Sequence, residues 1–390
     1  MKKTIRDFDL NGKRVIIRCD FNVPIMNHKI IDDTRIKESL PTIKYALENH
    51  AKVILLSHLG RIKTINDKDQ GDLKIVATHL EQLLAKKVIF INATRGPLVD
   101  QKIKEMHDGD IVLLQNTRYE DIDGNKESGC DLDLAKYWAS LGDIFINDAF
   151  GTLHRAHASN FGISKYLPSG IGFLVEKEIT ILSSLFAPNK PFMIILGGSK
   201  VTDKVNLIAK LLPNCDNLLI GGGMAFTFLK ATNYPTGKSL IDENSLPFCA
   251  NLLKEYSSKI TLPLDVLASS DYTNSKPIEK PITELSDEYM GLDIGKDTIS
   301  LFEQKLKDAK TVFWNGPLGV CEFSNYQQGT LAILDYLTKN NIKTIIGGGD
   351  TGAIASKYKD KLYHISTGGG ASLQFLEGKE MPGLKNIDDK

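Results

Sequence analysis

The sequence predicts an α/β protein made of two doubly wound parallel-sheet lobes of Rossmann-like build, joined by a bridging helix, with a cleft between them. Three observations lead there. Short apolar runs recur along the chain and are continuous rather than alternating, the pattern of parallel strands buried on both faces. Segments of helical periodicity separate them. The runs then pass into polar or glycine-rich stretches, and in open parallel sheets ligands bind beyond the carboxyl ends of the strands.

The first series of runs lies at 15–17, 53–56, 88–91, 111–114 and 144–146. Four of these continue into Arg18-Cys19-Asp20-Phe21-Asn22, Ser57-His58-Leu59-Gly60-Arg61, Gln115-Asn116-Thr117-Arg118 and Asn147-Asp148-Ala149-Phe150. The second series lies at 192–196, 218–220, 311–314 and 344–346, and continues into Gly197-Gly198-Ser199-Lys200, the glycines 221–223, Asn315-Gly316-Pro317 and the run 347–351. Between the two series, Leu174, Ile181, Leu182 and Leu185 form a helical stripe that stops before Pro188. We therefore expect lobes at 1–170 and 188–377, a bridging helix at 171–187 and a terminal segment at 378–390. A chain of 390 residues suits two or three domains.

Composition excludes several classes. The 48 Lys+Arg balance 48 Asp+Glu, so the formal charge is zero, which argues against a basic nucleic-acid binder or a polybasic membrane-surface protein. No apolar run reaches the roughly 18 residues that span a bilayer, and the opening MKKTIRDFDLNGKRV lacks the apolar core of a signal peptide. The five scattered cysteines, without a Cys-x-x-Cys pair, read as thiols of a reducing compartment. A cytoplasmic protein is expected.

Residue usage is uneven along the chain. All eight arginines precede residue 156, whereas every Gly-Gly run lies in the second half. Arginine is the residue for gripping carboxylate or phosphate bidentately, and glycines after strands let backbone N–H groups approach a ligand. The first half reads as anion-gripping, the second as nucleotide-cradling. In the first half the candidates are Arg35, Arg61, Arg118 and Arg155, with His58, Asp20 and Asn22. In the second, Lys200 and Lys204 are placed one helical turn apart at a strand-to-helix turn, where both ammonium groups can reach one phosphate chain. Asp350 is a candidate for Mg²⁺ on nucleotide phosphates, or a helix N-cap, and the two roles are compatible. Glycines 368–370, Gly369 among them, open a helix and so offer an anion site through exposed N–H groups.

Familiar phosphate signatures are missing. Thr236-Gly237-Lys238-Ser239 ends like a Walker loop, but Thr232 stands at the required first glycine and a surface turn is expected. Gly170 and Gly172 are followed by Val175 where a dinucleotide fingerprint needs glycine. His154 and His157 have a zinc-like spacing without Cys or carboxylate partners, so they either hold an anion or pack. Competing classes are a two-lobed binding protein and an NAD-dependent dehydrogenase. The first leaves Lys200 beside a glycine-rich site unexplained, and the second lacks its fingerprint.

Eight ordered strings resemble the phosphoglycerate kinase family over nearly the whole chain. They are Asp20-Phe21-Asn22-Val23-Pro24, Ser57-His58-Leu59-Gly60-Arg61, residues 147–157, Gly197-Gly198-Ser199-Lys200-Val201, residues 221–228, Trp314-Asn315-Gly316-Pro317, residues 347–351 and residues 366–372. The resemblance implies reversible phosphoryl transfer between 1,3-bisphosphoglycerate and ADP, giving 3-phosphoglycerate and ATP, with Mg²⁺ and hinge closure, in a monomer. It implies that Asp20, Asn22, Arg35, His58, Arg61, Arg118 and Arg155 grip the phosphoglycerate. Lys200 becomes the phosphoryl-stabilising lysine, with Arg35 and Gly369 beside it. Lys204 becomes a nucleotide-phosphate ligand. Gly197, Gly198, Gly221, Gly291, Asn315, Gly348, Gly349, Asp350 and Thr351 fall at nucleotide-contacting positions, and Glu322 is expected on the ribose. The resemblance also implies that 378–390 returns to the first lobe. Two departures stand out: Ile62 replaces the usual Pro, and Gln115-Asn116-Thr117-Arg118-Tyr119 replaces the usual Glu-Asn-Leu-Arg-Phe.

Overall fold

The apolar runs fold as parallel strands. The computed structural model describes residues 1–390. The chain divides into two units, Met1–Thr180 with Glu380–Lys390, and Ile181–Lys379.

In the first unit the strands are β1 (Arg14–Cys19), β4 (Lys52–Leu56), β5 (Ile89–Ile91), β6 (Ile111–Leu114), β7 (Ile144–Asp148) and β8 (Ser169–Ile171), with a small hairpin of β2 (Ile25–Met26) and β3 (Lys29–Ile30). They pair in the order β5-β6-β4-β1-β7-β8, all parallel. The runs are continuous because both faces are covered: Val15, Ile17, Val53, Leu55, Ile111, Leu113 and Ile146 are fully buried in one core. The chain leaves β1 toward β4 and later returns to β7 on the other side, so the order reverses beside β1. That reversal opens the crevice in which doubly wound sheets bind ligands. Ser169–Ile171 pairs as an edge strand on β7, so the helix expected from 171 starts at Phe173 and runs to Ser183. Its first turn is capped from the sheet, since Asp148 Oδ1 accepts the N–H of Leu174 at 2.9 Å and of Val175 at 3.3 Å. Burial pushes the Asp148 carboxyl up to about 7. The terminal segment pairs with the first residues of the chain: Lys3 N–H donates to Asp388 O at 2.7 Å and Lys390 N–H to Met1 O at 2.9 Å.

The second unit carries β9 (Phe192–Leu196), β10 (Asn217–Ile220), β11 (Ile260–Thr261), β15 (Thr311–Asn315), β16 (Lys343–Gly347) and β17 (His364–Ile365), in the order β11-β10-β9-β15-β16-β17. Here too the sheet is parallel and the order reverses, now between β9 and β15, whose last residues Leu196 and Asn315 pair side by side. Trp314, Val312 and Ile195 anchor the core. A second, antiparallel sheet was not predicted by the apolar runs. It consists of β12 (Asp265–Ser269), β13 (Ile278–Pro281) and β14 (Met290–Ile294) in the order β13-β12-β14. Its edge strand β13 reads Ile-Glu-Lys-Pro and is mostly exposed, so it lacks the continuous apolar run of a two-face-buried strand. Proline is tolerated there because edge strands need not donate on both sides. No helix is long and apolar enough to cross a membrane.

Candidate active site

In the first unit the predicted residues meet at the carboxyl edge of the sheet. Asp20 follows β1 and is nearly buried. Its carboxylate lies 3.2 Å from Arg35 Nη1 and 3.9 Å from His58 Nδ1. Arg35 also donates to Asn22 O at 3.1 Å, and Asn22 Oδ1 accepts the N–H of Gly60 at 2.9 Å, next to Arg61. Arg118 sits in the turn Thr117–Asp121 after β6, where its Nε is buried without a hydrogen-bond partner. The Arg155 guanidinium is held below its ordinary range, first by burial and then by the like charges of Arg118 and Arg61. Burial, Arg18, Arg118, His157 and Arg35 likewise hold His58 well below its ordinary value, so this ring is neutral at pH 7. Several guanidiniums gathered at one sheet edge suit a ligand that carries negative charge.

Arg18, the penultimate residue of β1, belongs to this cluster and was not singled out in the sequence. It is wholly buried and donates from Nη2 to His58 Nδ1 at 3.1 Å and from Nε to Ser159 Oγ at 2.9 Å. The two histidines with zinc-like spacing belong to no group of three or more His, Cys, Asp or Glu. The backbone N–H of His157 donates to Asn160 Oδ1 at 2.9 Å, and His154 Nε2 accepts from Arg155 Nε at 2.9 Å. Asn22 and Arg61 also line a cavity of about 1050 Å³, walled by residues 59–62 and 69–72. Buried Ile62, the departure from proline, packs its Cδ1 against Gly71 in that wall.

In the second unit a cavity of about 250 Å³ lies beyond the ends of β9, β15 and β16. Gly197, Gly198, Lys200, Lys204, Asn315, Gly348, Gly349, Asp350, Thr351, Gly369 and Gly370 line it, with Ser199, Asp203, Gly316, Pro317 and Leu373, which the sequence reading did not name as contacts. Lys200 and Lys204 are not successive turns of one helix. Residues 201–204 form a turn closed by the Lys204 N–H donating to Val201 O at 2.8 Å, and the helix begins at Val205. Both residues still line the cavity. Lys204 Nζ donates to Asn315 Oδ1, and burial holds its pKa below the ordinary lysine value against the opposing pull of Asp203, Glu377 and Asp350. Asp350 is in the first turn of the helix Gly349–Ala355, whose N-cap is Gly348, so it is not itself the cap. Thr351 Oγ1 is committed to the N–H of Gly316 at 2.8 Å.

Two glycines explain why the rim is free of side chains. Gly198 (φ +94°) and Gly369 (φ +53°) hold left-handed backbone that favours glycine, and nothing lies within 4 Å of where a Cβ would stand. A ligand can therefore approach the backbone closely at both positions, although the Gly198 N–H itself donates to Pro317 O at 2.9 Å. Gly221, Gly291 and Glu322 lie outside this cavity. Gly221 is a packing position against Leu318, Gly291 sits in β14 under the Phe226 ring, and exposed Glu322 stands near Tyr272.

The phosphoglycerate kinase sequence profile matches residues 5–379. The chain belongs to the phosphoglycerate kinase family. It is accordingly a kinase, a transferase of glycolysis. A phosphoglycerate kinase of Enterococcus faecalis is 50% identical over 395 residues and one of Listeria monocytogenes 49% identical over 394, each match covering 100% of both chains. Among solved structures, phosphoglycerate kinase from Coxiella burnetii superposes with a TM-score of 0.87 at 37% identity, covering 99% of each chain. That from Pyrococcus horikoshii gives 0.85 at 30% identity, covering 99% of this chain and 98% of the other.

Proposed function

We propose that the chain catalyses reversible Mg²⁺-dependent phosphoryl transfer from 1,3-bisphosphoglycerate to ADP, giving 3-phosphoglycerate and ATP, by direct in-line transfer without a phosphoenzyme. The observation that carries this reading is the 250 Å³ cavity, which Lys200 and Lys204 line together with Gly198, Gly348, Gly349 and Gly369, glycines that leave its wall free of side chains. Phosphoryl transfer asks for positioning and charge neutralisation more than covalent chemistry. Asp20, Asn22, Arg35, His58, Arg61, Arg118 and Arg155 hold the phosphorylated acid. Gly197, Gly198, Lys204, Asn315, Gly348, Gly349 and Thr351 hold the nucleotide phosphates, while Gly221, Gly291 and Glu322 reach its nucleoside end. Lys200, Arg35 and the amides at Gly369 stabilise the equatorial oxygens of the transferring group. No general base is needed, because the acceptor is a carboxylate or diphosphate oxygen already ionised at pH 7.

The residues fit a Mg²⁺ ion carried by the nucleotide. The chain has no group of three or more His, Cys, Asp or Glu that would make a dedicated cage, and a nucleotide-borne Mg²⁺ takes one or two carboxylates beside phosphate and water. Of the two carboxylates that line the cavity, Asp203 and Asp350, our reading gives the ion to Asp350. When bound, the ion neutralises charge on the phosphate oxygens. We further expect a cytoplasmic monomer with no nucleic-acid or membrane partner.

A coupled assay tests the reading: ATP consumption with Mg²⁺ is expected to depend on 3-phosphoglycerate, and consumption indifferent to it overturns the assignment. Arg155→Ala is expected to weaken 3-phosphoglycerate binding by roughly 10- to 100-fold, the scale of a lost charge-assisted hydrogen bond, and to leave ADP binding unchanged. Calorimetry recording the reverse loss would exchange the two sites. An acyl phosphate must be kept from water, so the two units are expected to close when both substrates are present. A smaller radius of gyration in scattering checks this, and an unchanged radius excludes closure.

A further inference from the structure

Arg61, His58 and Arg118 come from segments far apart in sequence, and two buried amides tie those segments together. Asn116 is fully buried. Its Nδ2 donates to Leu59 O at 2.7 Å and Gly71 O at 2.9 Å, and its Oδ1 accepts the N–H of Leu59 at 3.2 Å and of Arg118 at 3.0 Å. Leu59 lies between His58 and Gly60-Arg61, so one side chain pins the loop bearing two of the ligands to the backbone of the third. Gln115 completes the junction. Its Oε1 accepts the N–H of Leu73 at 3.1 Å and of Asn116 at 2.8 Å, and its Nε2 donates to Asp72 Oδ1 at 2.9 Å and Asn92 Oδ1 at 3.0 Å. Asp72 Oδ1 also accepts the N–H of Lys74 at 2.9 Å, at the start of the helix Lys74–Leu84. Both amides have two donors and two acceptor sites in use, their full ordinary capacity.

Gln115 is one of the departures from the family's usual residue, glutamate. A glutamate here can accept from Leu73 and Asn116 but has no N–H for Asp72 or Asn92, and it sets a second carboxylate against Asp72. The amide is matched to the aspartate. We propose that Gln115 and Asn116 are positioning residues, a buried amide junction that fixes His58, Arg61 and Arg118 relative to one another, with the Gln115–Asp72 hydrogen bond setting affinity for the anionic phosphorylated acid. The proposal rests on the substrate reading given above. It deepens that reading by naming what holds the anion-gripping groups in place.

The charged and titratable groups around the bond are Asp72, Asp69, Lys68 and Lys74 on one side and Tyr119 on the other. In Gln115→Glu, a buried carboxylate faces the half-buried Asp72, and one of the pair takes up a proton as the pH falls. The KM for 3-phosphoglycerate is expected to rise about tenfold at pH 8, the scale of one unsatisfied buried polar group, with kcat and the KM for ATP within about twofold. The rise is expected to shrink at pH 6, where a protonated carboxyl donates across the gap. Adding Asp72→Asn, which removes the second charge and offers an N–H, is expected to restore the wild-type KM within about threefold. A KM that is unchanged at pH 8, or raised equally at both pH values and not rescued by Asp72→Asn, overturns the proposal.

Should Gln115→Glu not fold, Gln115→Met removes the donors without adding charge. It is expected to raise the same KM at both pH values, and an unaltered KM defeats the proposal. Hydrogen exchange gives a readout independent of turnover. Segments 57–61 and 116–118 are expected to exchange faster in either variant than in the wild type, and unchanged protection defeats the junction. A wild type without 3-phosphoglycerate-dependent turnover sinks the functional reading itself, so the two failures are distinguishable.

Discussion

Replacing Lys200 by alanine is expected to cut turnover by at least 10²-fold. Loss of one preorganised donor to a developing charge costs roughly 10² to 10³ in kcat. Lys200 is exposed at the rim of the phosphate-sized cavity, whereas Lys204 is half-buried and already bonded to Asn315. The exposed ammonium is therefore the one free to follow a group that moves between two substrates, and the anchored one suits a phosphate that stays. KM for either substrate should change modestly, because an interaction made only in the transition state lowers kcat and kcat/KM together. Folding should be unaffected within about 0.5 kcal/mol, as for an exposed side chain away from packing. Steady-state kinetics with an unshifted melting curve checks the prediction, and near-normal turnover removes Lys200 from the chemistry.

The parallel sheets were legible because burial on both faces leaves an uninterrupted apolar run, and this is why 15–17 and 311–314 read correctly as β1 and β15. The antiparallel sheet was not. Asp265–Ser269 mixes polar and apolar residues, and Ile278–Pro281 is an exposed edge with no face to bury. At the site, residue type was legible and commitment was not. Gly198 and Gly221 both belong to Gly-Gly runs, yet one has open space where a side chain would stand and the other fits against Leu318. Thr351 reads as a contact, but its hydroxyl is spent on Gly316. Gln115 stood out only as a departure and Asn116 not at all, since their role depends on Leu59, Gly71, Asp72 and Leu73, up to 57 residues away. Arg18 illustrates the same limit. It has the same side chain as seven other arginines, and its burial is decided by Ser159 and Glu127 on a distant segment.

That burial makes Arg18→Met the largest stability loss expected in the first unit, about 3–5 kcal/mol, the usual cost of leaving a buried charge uncompensated. Arg18 reaches Glu127 through Ser159 Oγ, which accepts from Arg18 Nε and donates to Glu127 Oε1. Glu127 is fully buried and accepts from Ser159 N–H at 2.9 Å and Ser159 Oγ at 2.5 Å. Burial pushes its carboxyl above the ordinary range, and Arg18 is the strongest influence pulling it back. Methionine fills much the same volume but leaves that carboxylate without its cation. The pH dependence follows from the sign of the shift. A carboxyl whose folded pKa lies above its unfolded value loses stability as pH rises through the unfolded value toward the folded one. Removing Arg18 raises the folded value further. The gap between variant and wild type should therefore be widest at pH 8 and narrower at pH 5, where more of the buried carboxyl is protonated. Denaturant unfolding at the two pH values measures this. The double variant Arg18→Met/Glu127→Leu, with no unpaired charge, should recover most of the loss, as buried ion pairs replaced by apolar groups of similar size often do. A single variant within about 1 kcal/mol of wild type, or a double variant no more stable than the single, would mean that Arg18 is held there by packing and that Glu127 does not depend on its charge.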